Sequence, residues 1–376
     1  MFTRSRWISG LTALIALSLM VPAFLGMTGN LTYAQDDPAE MTGDLAAEDW
    51  SWPVYNVVDG EQVLSSYVPI AVSEITQAWN ICVSFPHLKD PYWLGANYGI
   101  VHEAERDGAT MQLLEAGGYT ELSTQLSQLD DCVEQGAQAI IIGAISLEGV
   151  NAKVEEIRER GIPVIDFVNG ISSPEVSAHA LVDFTDMGRA SGEYLIEVIG
   201  DEDAKVAFFP GPQGAGWTDA ALAGFEESVE GTGIEVVDVK WGDTGREIQL
   251  SLVEDTLQAH EDLDYIVGNA QAAVSAVQAV NEAGLQDDIQ ILAFHQNPPV
   301  YDLVETGEIF GSANDHTVVQ ARMAVDMAIR LLEGQELETN RSGPVITMMT
   351  PDNLDSFVWE STFAPDGFEP TFTVDE

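Results

Sequence analysis

The chain has few positive charges for its length of 376 residues. Lys and Arg together number 14 against 62 Asp and Glu, so the formal net charge is −48. Bare nucleic acid and anionic lipid would be strongly repelled at this charge, which argues against both as partners. The acidic residues are spread through predicted helices as well as termini. This distribution is typical of a solvated surface adapted to high salt, where repulsion is screened; a specific basic partner is the alternative.

Long apolar runs are confined to the amino terminus. Arg4 and Arg6 precede an apolar run over 8–27, and residues 32–34 (Thr-Tyr-Ala) provide a small-x-Ala cleavage site. We therefore predict that residues 1–34 are a signal peptide and that the mature chain is periplasmic; an uncleaved anchor is the alternative. No Cys follows the run, which argues against a lipoprotein. No later stretch approaches the ~18 apolar residues of a membrane span.

Cysteine is almost absent. Only Cys82 and Cys132 occur, and in an oxidising compartment such a pair can close a disulfide. Cys82 falls in a predicted strand, and Cys132 falls on a predicted helix that could pack over it. The alternative is two buried thiols that act as small apolar side chains. No His lies at metal-ligand spacing from either Cys, so we predict no metal site.

The sequence also lacks the motifs of common catalytic and nucleotide-binding sites. The six His form no HExxH spacing, and no Gly-x-Ser-x-Gly motif is present. A glycine-rich run over 211–218 follows a predicted strand and opens a predicted helix, but it contains no Lys, which a P-loop requires. We interpret this run as a tight turn whose Trp217 either lines a cleft or packs in the core. An enzyme or a cofactor-dependent protein therefore has no support, and we predict neither.

Strand and helix patterns alternate along most of the chain. Residues 35–75 form an acidic, irregular lead with a short strand at most, because Pro and Gly interrupt its aromatic residues. After the lead, short β-branched strands alternate with helices, which indicates βαβ units and parallel sheets. The alternation breaks and restarts, which predicts two lobes: residues 76–170 with 297–333, and residues 171–296 with 334–376.

The predicted fold is therefore α/β, with two Rossmann-like lobes of parallel sheets joined by a three-segment hinge. We expect the chain to cross between the lobes near 168–177 and near 294–299, where extended segments interrupt the alternation. A third crossing after Gly334 would send the tail back across the second lobe. The strand over 178–182 would then be the first of the second lobe. Two hinged lobes of this kind are the architecture of a binding protein.

Aromatic and acidic side chains follow the first two strands of the predicted first lobe. The first strand leads into Asp90, Tyr92 and Trp93, and the second leads into Tyr119. In an open parallel α/β sheet, ligands bind outside the carboxyl ends of the strands, so these residues are predicted to share one cleft. Three π faces with one carboxylate suit a small ligand that bears a methylated or cationic nitrogen.

Two further residues stand at the same edge in the predicted second lobe. Phe184 follows the first strand of that lobe, and His295 directly follows a late strand that ends at Phe294. A Phe at a strand end either lines the cleft or packs in the core, and both readings remain open. A lone His is often structural, but its position at the carboxyl edge favours cleft lining. We include both residues in the predicted ligand site.

The order of several short motifs resembles one known family. These motifs are Lys-Asp-Pro-Tyr-Trp (89–93), Asn-Tyr-Gly (97–99), Leu-Glu-Ala-Gly-Gly-Tyr (114–119), Asp-Tyr-Ile-Val-Gly (264–268) and Phe-Glu-Pro-Thr-Phe (368–372). On these motifs the chain, between about Ala78 and Phe372, resembles the TorT family, periplasmic proteins that bind trimethylamine N-oxide (TMAO), within the sugar-binding-type periplasmic binding protein superfamily. The resemblance implies the type I periplasmic binding protein fold.

The resemblance also implies a ligand cage and two departures from it. The family's cage maps onto four residues of this chain, Asp90, Tyr92, Trp93 and Tyr119. On the second lobe the family usually has Trp where this chain has Phe184, and Tyr where it has His295. Phe keeps a π face but lacks the indole N–H donor, and His replaces a phenol donor with a titratable ring.

For function, the resemblance implies a periplasmic solute-binding protein that senses TMAO or a related small methylated amine. Its partner would be the ectodomain of a membrane sensor histidine kinase. The alternative is the solute receptor of an ABC importer, with a permease as partner and a sugar or an osmolyte such as betaine as ligand. Ala220 and Ala221 stand where a sugar-gripping Arg would often fall, which argues against a sugar.

Overall fold

The computed structural model describes Leu45 and residues 48–375. The predicted signal peptide, residues 1–34, lies outside the described residues, as do residues 35–44 of the predicted lead. Within the described part, no helix has both the length and the apolar character needed to cross a bilayer. Two mainly parallel sheets flanked by helices organise this part of the chain. They confirm the predicted α/β class with two Rossmann-like lobes.

Nine of the described strands form the larger sheet. In spatial order they are β15 (Thr373–Val374), β4 (Thr110–Glu115), β3 (Asn80–Phe85), β5 (Ala139–Ile142), β6 (Val164–Phe167), β7 (Ala178–Ala180), β13 (Arg341–Pro344), β1 (Trp52–Val58) and β2 (Glu61–Tyr67). The run from β4 to β13 is parallel. All four residues of β5, Ala-Ile-Ile-Ile, are buried, as expected for a parallel strand covered by helices on both faces.

Six described strands form the smaller sheet, which is parallel except at β14. In spatial order they are β14 (Thr347–Met349), β12 (Gly311–Asn314), β11 (Gln290–Ala293), β10 (Tyr265–Gly268), β8 (Ala204–Gly211) and β9 (Ile234–Trp241). The helices in the described part are α1 (Pro91–Asp107), α2 (Leu122–Glu134), α3 (Asn151–Glu159), α4 (Phe184–Ile199), α5 (Trp217–Val229), α6 (Arg246–Ala259), α7 (Ala270–Ala283), α8 (Pro298–Thr306) and α9 (Thr317–Leu332).

Besides the long tail segment between β14 and β15, three short segments carry the chain between the two sheets and form the predicted three-segment hinge. They are residues 181–183 before α4, residues 315–316 before α9, and residues 345–346 between β13 and β14. The segments are bonded to their neighbours rather than loose: the Leu181 N–H donates to the Ser342 carbonyl at 3.1 Å. The hinge therefore consists of short, mutually packed connections.

Two of the predicted crossing points are wrong. The strand predicted over 178–182 is β7, which pairs in parallel with β6 and so belongs to the larger sheet instead of opening the second lobe. Residues 294–299 are followed by α8 and β12, which stay with the smaller sheet. The sequence pattern missed β12 because Gly-Ser-Ala-Asn contains none of the β-branched or aromatic residues that mark a strand.

The tail also departs from its prediction. Instead of lying only across the second lobe, it contributes β13 to the larger sheet and β14 to the smaller one. It then returns to the larger sheet, where β15 pairs antiparallel with β4. The reason is that β4 would otherwise be an unprotected sheet edge, and a terminal strand satisfies its backbone groups.

A β-hairpin in the lead corrects the prediction of an irregular segment. β1 and β2 pair antiparallel over their full length, and the two-residue turn Asp59–Gly60 joins them. Asp59 and Gly60 have φ values of 52° and 83°, which match the type I′ turn that Asp-Gly strongly favours. The Asp-Gly dipeptide between two runs of β-formers was the signal that predicts this hairpin.

Cys82 and Cys132 form a disulfide that ties α2 to β3, with 5.7 Å between their Cα atoms. Both residues are buried. The bridge closes a loop with a sequence separation of 50 residues. That loop contains every first-lobe residue predicted to bind ligand, so the disulfide restrains the first-lobe wall of the predicted site.

Candidate ligand-binding site

One cavity lies at the carboxyl ends of strands from both sheets. The lining residues are Asp90, Tyr92, Trp93, Tyr119, Val168, Asn169, Phe184, Trp217, Thr244 and His295. All six predicted ligand-site residues are among them, and the lining combines five aromatic side chains with one carboxylate.

Asp90 positions Tyr92 and Trp93 because it caps α1, the helix that carries them. Its carboxylate accepts a hydrogen bond of 2.9 Å from the Tyr92 backbone N–H, and Pro91 occupies the first turn of α1. Both are strong helix-start signals. Asp90 is 6% exposed. Burial raises the pKa of this carboxyl above its ordinary value, and the hydrogen bond from Tyr92 opposes the shift only in part. A cation in the cavity would favour the charged form.

Tyr92 and Trp93 face the cavity with their rings, and both are held from behind. The Tyr92 hydroxyl donates to the buried Asp315 carboxylate at 2.6 Å. Burial, and then Asp315, raise the pKa of Tyr92, so this phenol stays protonated and its donor is already used. Trp93 packs against Phe85 with ring centroids 4.7 Å apart. Both side chains therefore offer π surface to the cavity. The Tyr92 hydroxyl has no proton free for a ligand, because it already donates to Asp315.

Tyr119 supplies a ring and a hydroxyl from the loop after β4. The hydroxyl accepts a hydrogen bond of 3.0 Å from the Asn169 side chain, which in turn is bonded to the Ala144 carbonyl. Burial raises the pKa of Tyr119, so the phenol remains neutral. Among the described residues, no acceptor is bonded to its proton. The Tyr119 O–H can therefore donate to a ligand.

The second lobe contributes Phe184 and Trp217, the first residues of α4 and α5. Their ring centroids lie 5.6 Å apart. The two helices approach closely because Gly188 and Gly224 face the partner backbone: a Cβ at either position would come within 1.9 Å of a carbonyl oxygen. Phe184 and Trp217 both line the cavity, and both also pack in the hydrophobic core.

His295 lies at the junction of the two lobes. Its ring centroid is 5.4 Å from that of Tyr92 and 5.6 Å from that of Trp217. Nε2 accepts a hydrogen bond of 3.3 Å from the Ala270 backbone N–H, so the proton of the neutral ring is on Nδ1. Nδ1 is buried and has no partner among the described residues. Burial lowers the pKa of His295 to about 4, so the ring is a neutral donor near pH 7.

Sequence reasoning missed three lining residues. Val168 and Asn169 follow β6, so the rule that selected the other residues at the carboxyl ends of strands would also have found them. Val168 has a φ of 62°, an uncommon conformation for a β-branched residue, of a kind that clusters at binding sites. Thr244 follows β9 and contacts the His87 ring across the cleft at 3.4 Å. In the described part of the chain, no group of three or more His, Cys, Asp or Glu could hold a metal ion.

Replacing His295 by Gln should make the protein less sensitive to acid. The folded state resists protonation of His295 down to about pH 4, whereas the unfolded chain takes up the proton near pH 6.5. The neutral ring in the folded state therefore costs no stability above pH 6.5. As the pH falls from 6.5 towards 4, only the unfolded chain takes up the proton, so the free energy of unfolding decreases. Between pH 7.5 and 4.5 we expect urea unfolding to show the wild type losing roughly 2–3 kcal/mol more than the variant. Parallel losses in both proteins would contradict this.

Comparison with known proteins identifies the family. A family model described as a periplasmic binding protein domain matches residues 81–336. The periplasmic protein TorT of Escherichia coli (strain K12) is 34% identical over 296 residues, which cover 79% of this chain and 85% of that protein.

Two solved structures share the fold. An ABC transporter solute binding protein from Bradyrhizobium sp. BTAi1 with bound bis-tris has a TM-score of 0.74 and 43% identity, covering 85% of this chain and 97% of that chain. The complex of the TorS sensor domain with TorT in the presence of TMAO has a TM-score of 0.71 and 32% identity, covering 78% of this chain and 99% of that chain. The chain therefore belongs to the periplasmic binding proteins and, among them, to the TorT family.

Proposed function

We propose that the protein binds TMAO or a related small methylated amine in the periplasm and passes the signal to a membrane sensor histidine kinase. One observation carries the proposal: a single cavity between the lobes combines five aromatic side chains, one carboxylate and an unpartnered N–H donor. The periplasmic location of TorT supports the same compartment for this chain.

The aromatic lining suits a methylated nitrogen for a physical reason. Methyl groups on a positive nitrogen donate no conventional hydrogen bonds, so polar side chains around them would be left unsatisfied. Aromatic faces attract the positive charge without that requirement, each by about 0.5–2 kcal/mol and more strongly when water is excluded. Asp90 adds the opposite charge from within the first lobe. A sugar, by contrast, needs paired donors and acceptors for each hydroxyl, and half of the ten lining residues are aromatic.

The free donors suit an oxygen on the same ligand. The His295 Nδ1–H is buried without a partner, and the Tyr119 hydroxyl has its proton available. A buried donor without an acceptor is costly, so a ligand oxygen bonded to either donor would satisfy it. An N-oxide or a carboxylate beside a methylated nitrogen meets this requirement, which includes TMAO and betaine.

Closure of the lobes would turn binding into a signal. The cavity wall is divided between the sheets, so a ligand that touches both walls binds the closed arrangement better than an open one. A ligand shifts a conformational equilibrium only through such a difference in affinity. A sensor domain that recognises the closed shape would then read the ligand. The solved complex of TorT with the TorS sensor domain supports a partner of this type.

The alternative is the solute receptor of an ABC importer. It is favoured by the Bradyrhizobium relative, which is described as an ABC transporter solute binding protein. That protein holds bis-tris, a tertiary amine, which is consistent with an amine ligand under either function. A neighbouring gene for a hybrid histidine kinase would favour the sensor, and neighbouring permease and ATPase genes would favour the importer.

Isothermal titration at high salt should rank the ligands. We expect TMAO or glycine betaine to bind most tightly, because each joins a methylated nitrogen to an oxygen acceptor. Choline should bind more weakly, since its hydroxyl is a poorer acceptor, and ribose should not bind measurably. Saturable binding of ribose without binding of any amine would contradict the proposal.

A further inference from the structure

We infer that two copies of this chain associate edge to edge through β2, the outermost strand of the larger sheet. The strand precedes residues 81–336, which the family model matches, and its residues do not line the cavity. The inference therefore goes beyond the proposed function and does not depend on it.

The free edge of β2 is defined by the hairpin register. In the described part of the chain, β2 pairs with β1 and with no other strand. Val58 and Glu61 flank a two-residue turn, and in such hairpins that pair shares its backbone hydrogen bonds. The alternation then directs the backbone N–H and C=O groups of Gln62, Leu64 and Ser66 away from β1. These groups form a row that another strand could pair with.

Exposed apolar side chains are concentrated at this hairpin. Of the seven large hydrophobic side chains that are exposed in the described part, four lie on the hairpin or directly after it: Val58, Val63, Leu64 and Val68. Leu64 is 61% exposed, the largest value of the seven. The strand also lacks the usual protections of an edge, because it contains no Lys, no Pro and no bulge. An edge of this composition is typical of a pairing surface.

The charge pattern leaves this edge open to a second copy, which is the occupant we infer. The chain carries a net charge of −48, so most of its surface repels another copy. β2 has a single charged residue, Glu61, at its end. Antiparallel pairing centred on Leu64 would set Glu61 opposite the partner's Tyr67, so no like charges face each other. A basic partner would gain little at this edge, because the acidic residues that would attract it lie elsewhere in the chain.

The hairpin is fastened to the body of the first lobe, so its edge is presented in a fixed position. β1 pairs with β13, and the Tyr67 hydroxyl donates to the buried Asp326 carboxylate. The Val57 carbonyl accepts a hydrogen bond from the Thr339 hydroxyl. A preordered strand loses little conformational entropy on pairing. The symmetric contact would join two nine-stranded sheets into one across a twofold axis, an isologous interface that closes at the dimer.

Sedimentation velocity of the full chain, over a range of concentrations in low and high salt, tests the inference. We expect a reversible monomer–dimer equilibrium that high salt strengthens, because salt screens the repulsion between two acidic chains. Leu64→Pro removes one outward-facing N–H without touching the pairing to β1, and Leu64→Lys places a charge on the edge. Each should raise the dimer dissociation constant at least tenfold. Ile248→Lys, at another exposed apolar residue, is the matched control and should leave it unchanged.

Hydrogen exchange supplies a second readout that does not depend on a variant folding. On dimerisation the amides of Gln62, Leu64 and Ser66 should become protected, whereas those of Val63 and Ser65 already pair with β1 and should change little. A chain that stays monomeric at every concentration would overturn the inference. So would a dimer that tolerates both Leu64 variants, or one that protects all five amides alike. Protection of Leu64 in a monomer would assign the edge to another segment of the same chain and would also overturn it.

Discussion

Asp90→Asn is expected to weaken binding of a methylated-amine ligand roughly a hundredfold, which corresponds to about 2.7 kcal/mol. Asn is nearly isosteric with Asp and is an equally good helix cap, so it should keep the bond from the Tyr92 N–H and the start of α1. What it removes is the negative charge. Opposite charges about 4 Å apart interact by about 4 kcal/mol at the effective dielectric of a protein. Titration calorimetry with the ligand that the wild type binds best would measure the loss.

Asp183→Asn is the matched control for this experiment. Asp183 caps α4 as Asp90 caps α1, and its carboxylate accepts a hydrogen bond of 2.9 Å from the Thr185 N–H. It does not line the cavity. The control removes a charge from the hinge and its ion pair with Arg341 but none from the cavity, so its affinity should fall far less than that of Asp90→Asn. An equal loss in both variants would mean that helix capping and not charge matters, and full affinity in Asp90→Asn would remove the carboxylate from the site.

Reduction of the Cys82–Cys132 disulfide is expected to lower the free energy of unfolding by about 4 kcal/mol, the entropy cost of releasing a closed loop of this length in the unfolded chain. Because both sulfurs are buried, the reductant should act mainly through the unfolded state. Urea titrations with and without a phosphine reductant would show the midpoint falling when the bond is cut.

The double variant Cys82→Ala with Cys132→Ala separates the bond from other effects of the reductant. It should unfold at a lower urea concentration than the oxidised wild type, and the reductant should not move its midpoint. A wild type whose midpoint is the same in both conditions would show that the bridge contributes nothing. Ligand affinity of the reduced protein, measured below its unfolding range, would show whether the bridge also restrains the first-lobe wall.

Helix and strand patterns were readable from sequence wherever local chemistry was strong. The strand β5, for example, stands out as a run of Ile. The hairpin was also encoded locally, by Asp59–Gly60, and could have been predicted. By contrast β12 carries no strand signal, because its four buried residues are held by neighbouring strands and not by their own propensity.

The six predicted ligand-site residues line one cavity because a single geometric rule covers them all: each follows the carboxyl end of a parallel strand, and these ends of the two sheets face the same cavity. The same rule extends to Asn169, which orients Tyr119. It does not extend to the hydrogen bonds behind the lining. The pairing of Tyr92 with Asp315 joins residues 223 positions apart, and no local pattern indicates it.

By itself, the sequence determined the α/β class, the alternation of strands and helices, and six of the residues that line the cavity, because each of these depends on neighbours a few positions away. Only the tertiary structure decided where the chain crosses between the sheets, that the tail closes the edge at β4, and which donors remain free in the cavity. These depend on contacts between distant segments. The unpartnered Nδ1 of His295 is the clearest case: it is a donor because the Ala270 N–H, on another element, occupies Nε2.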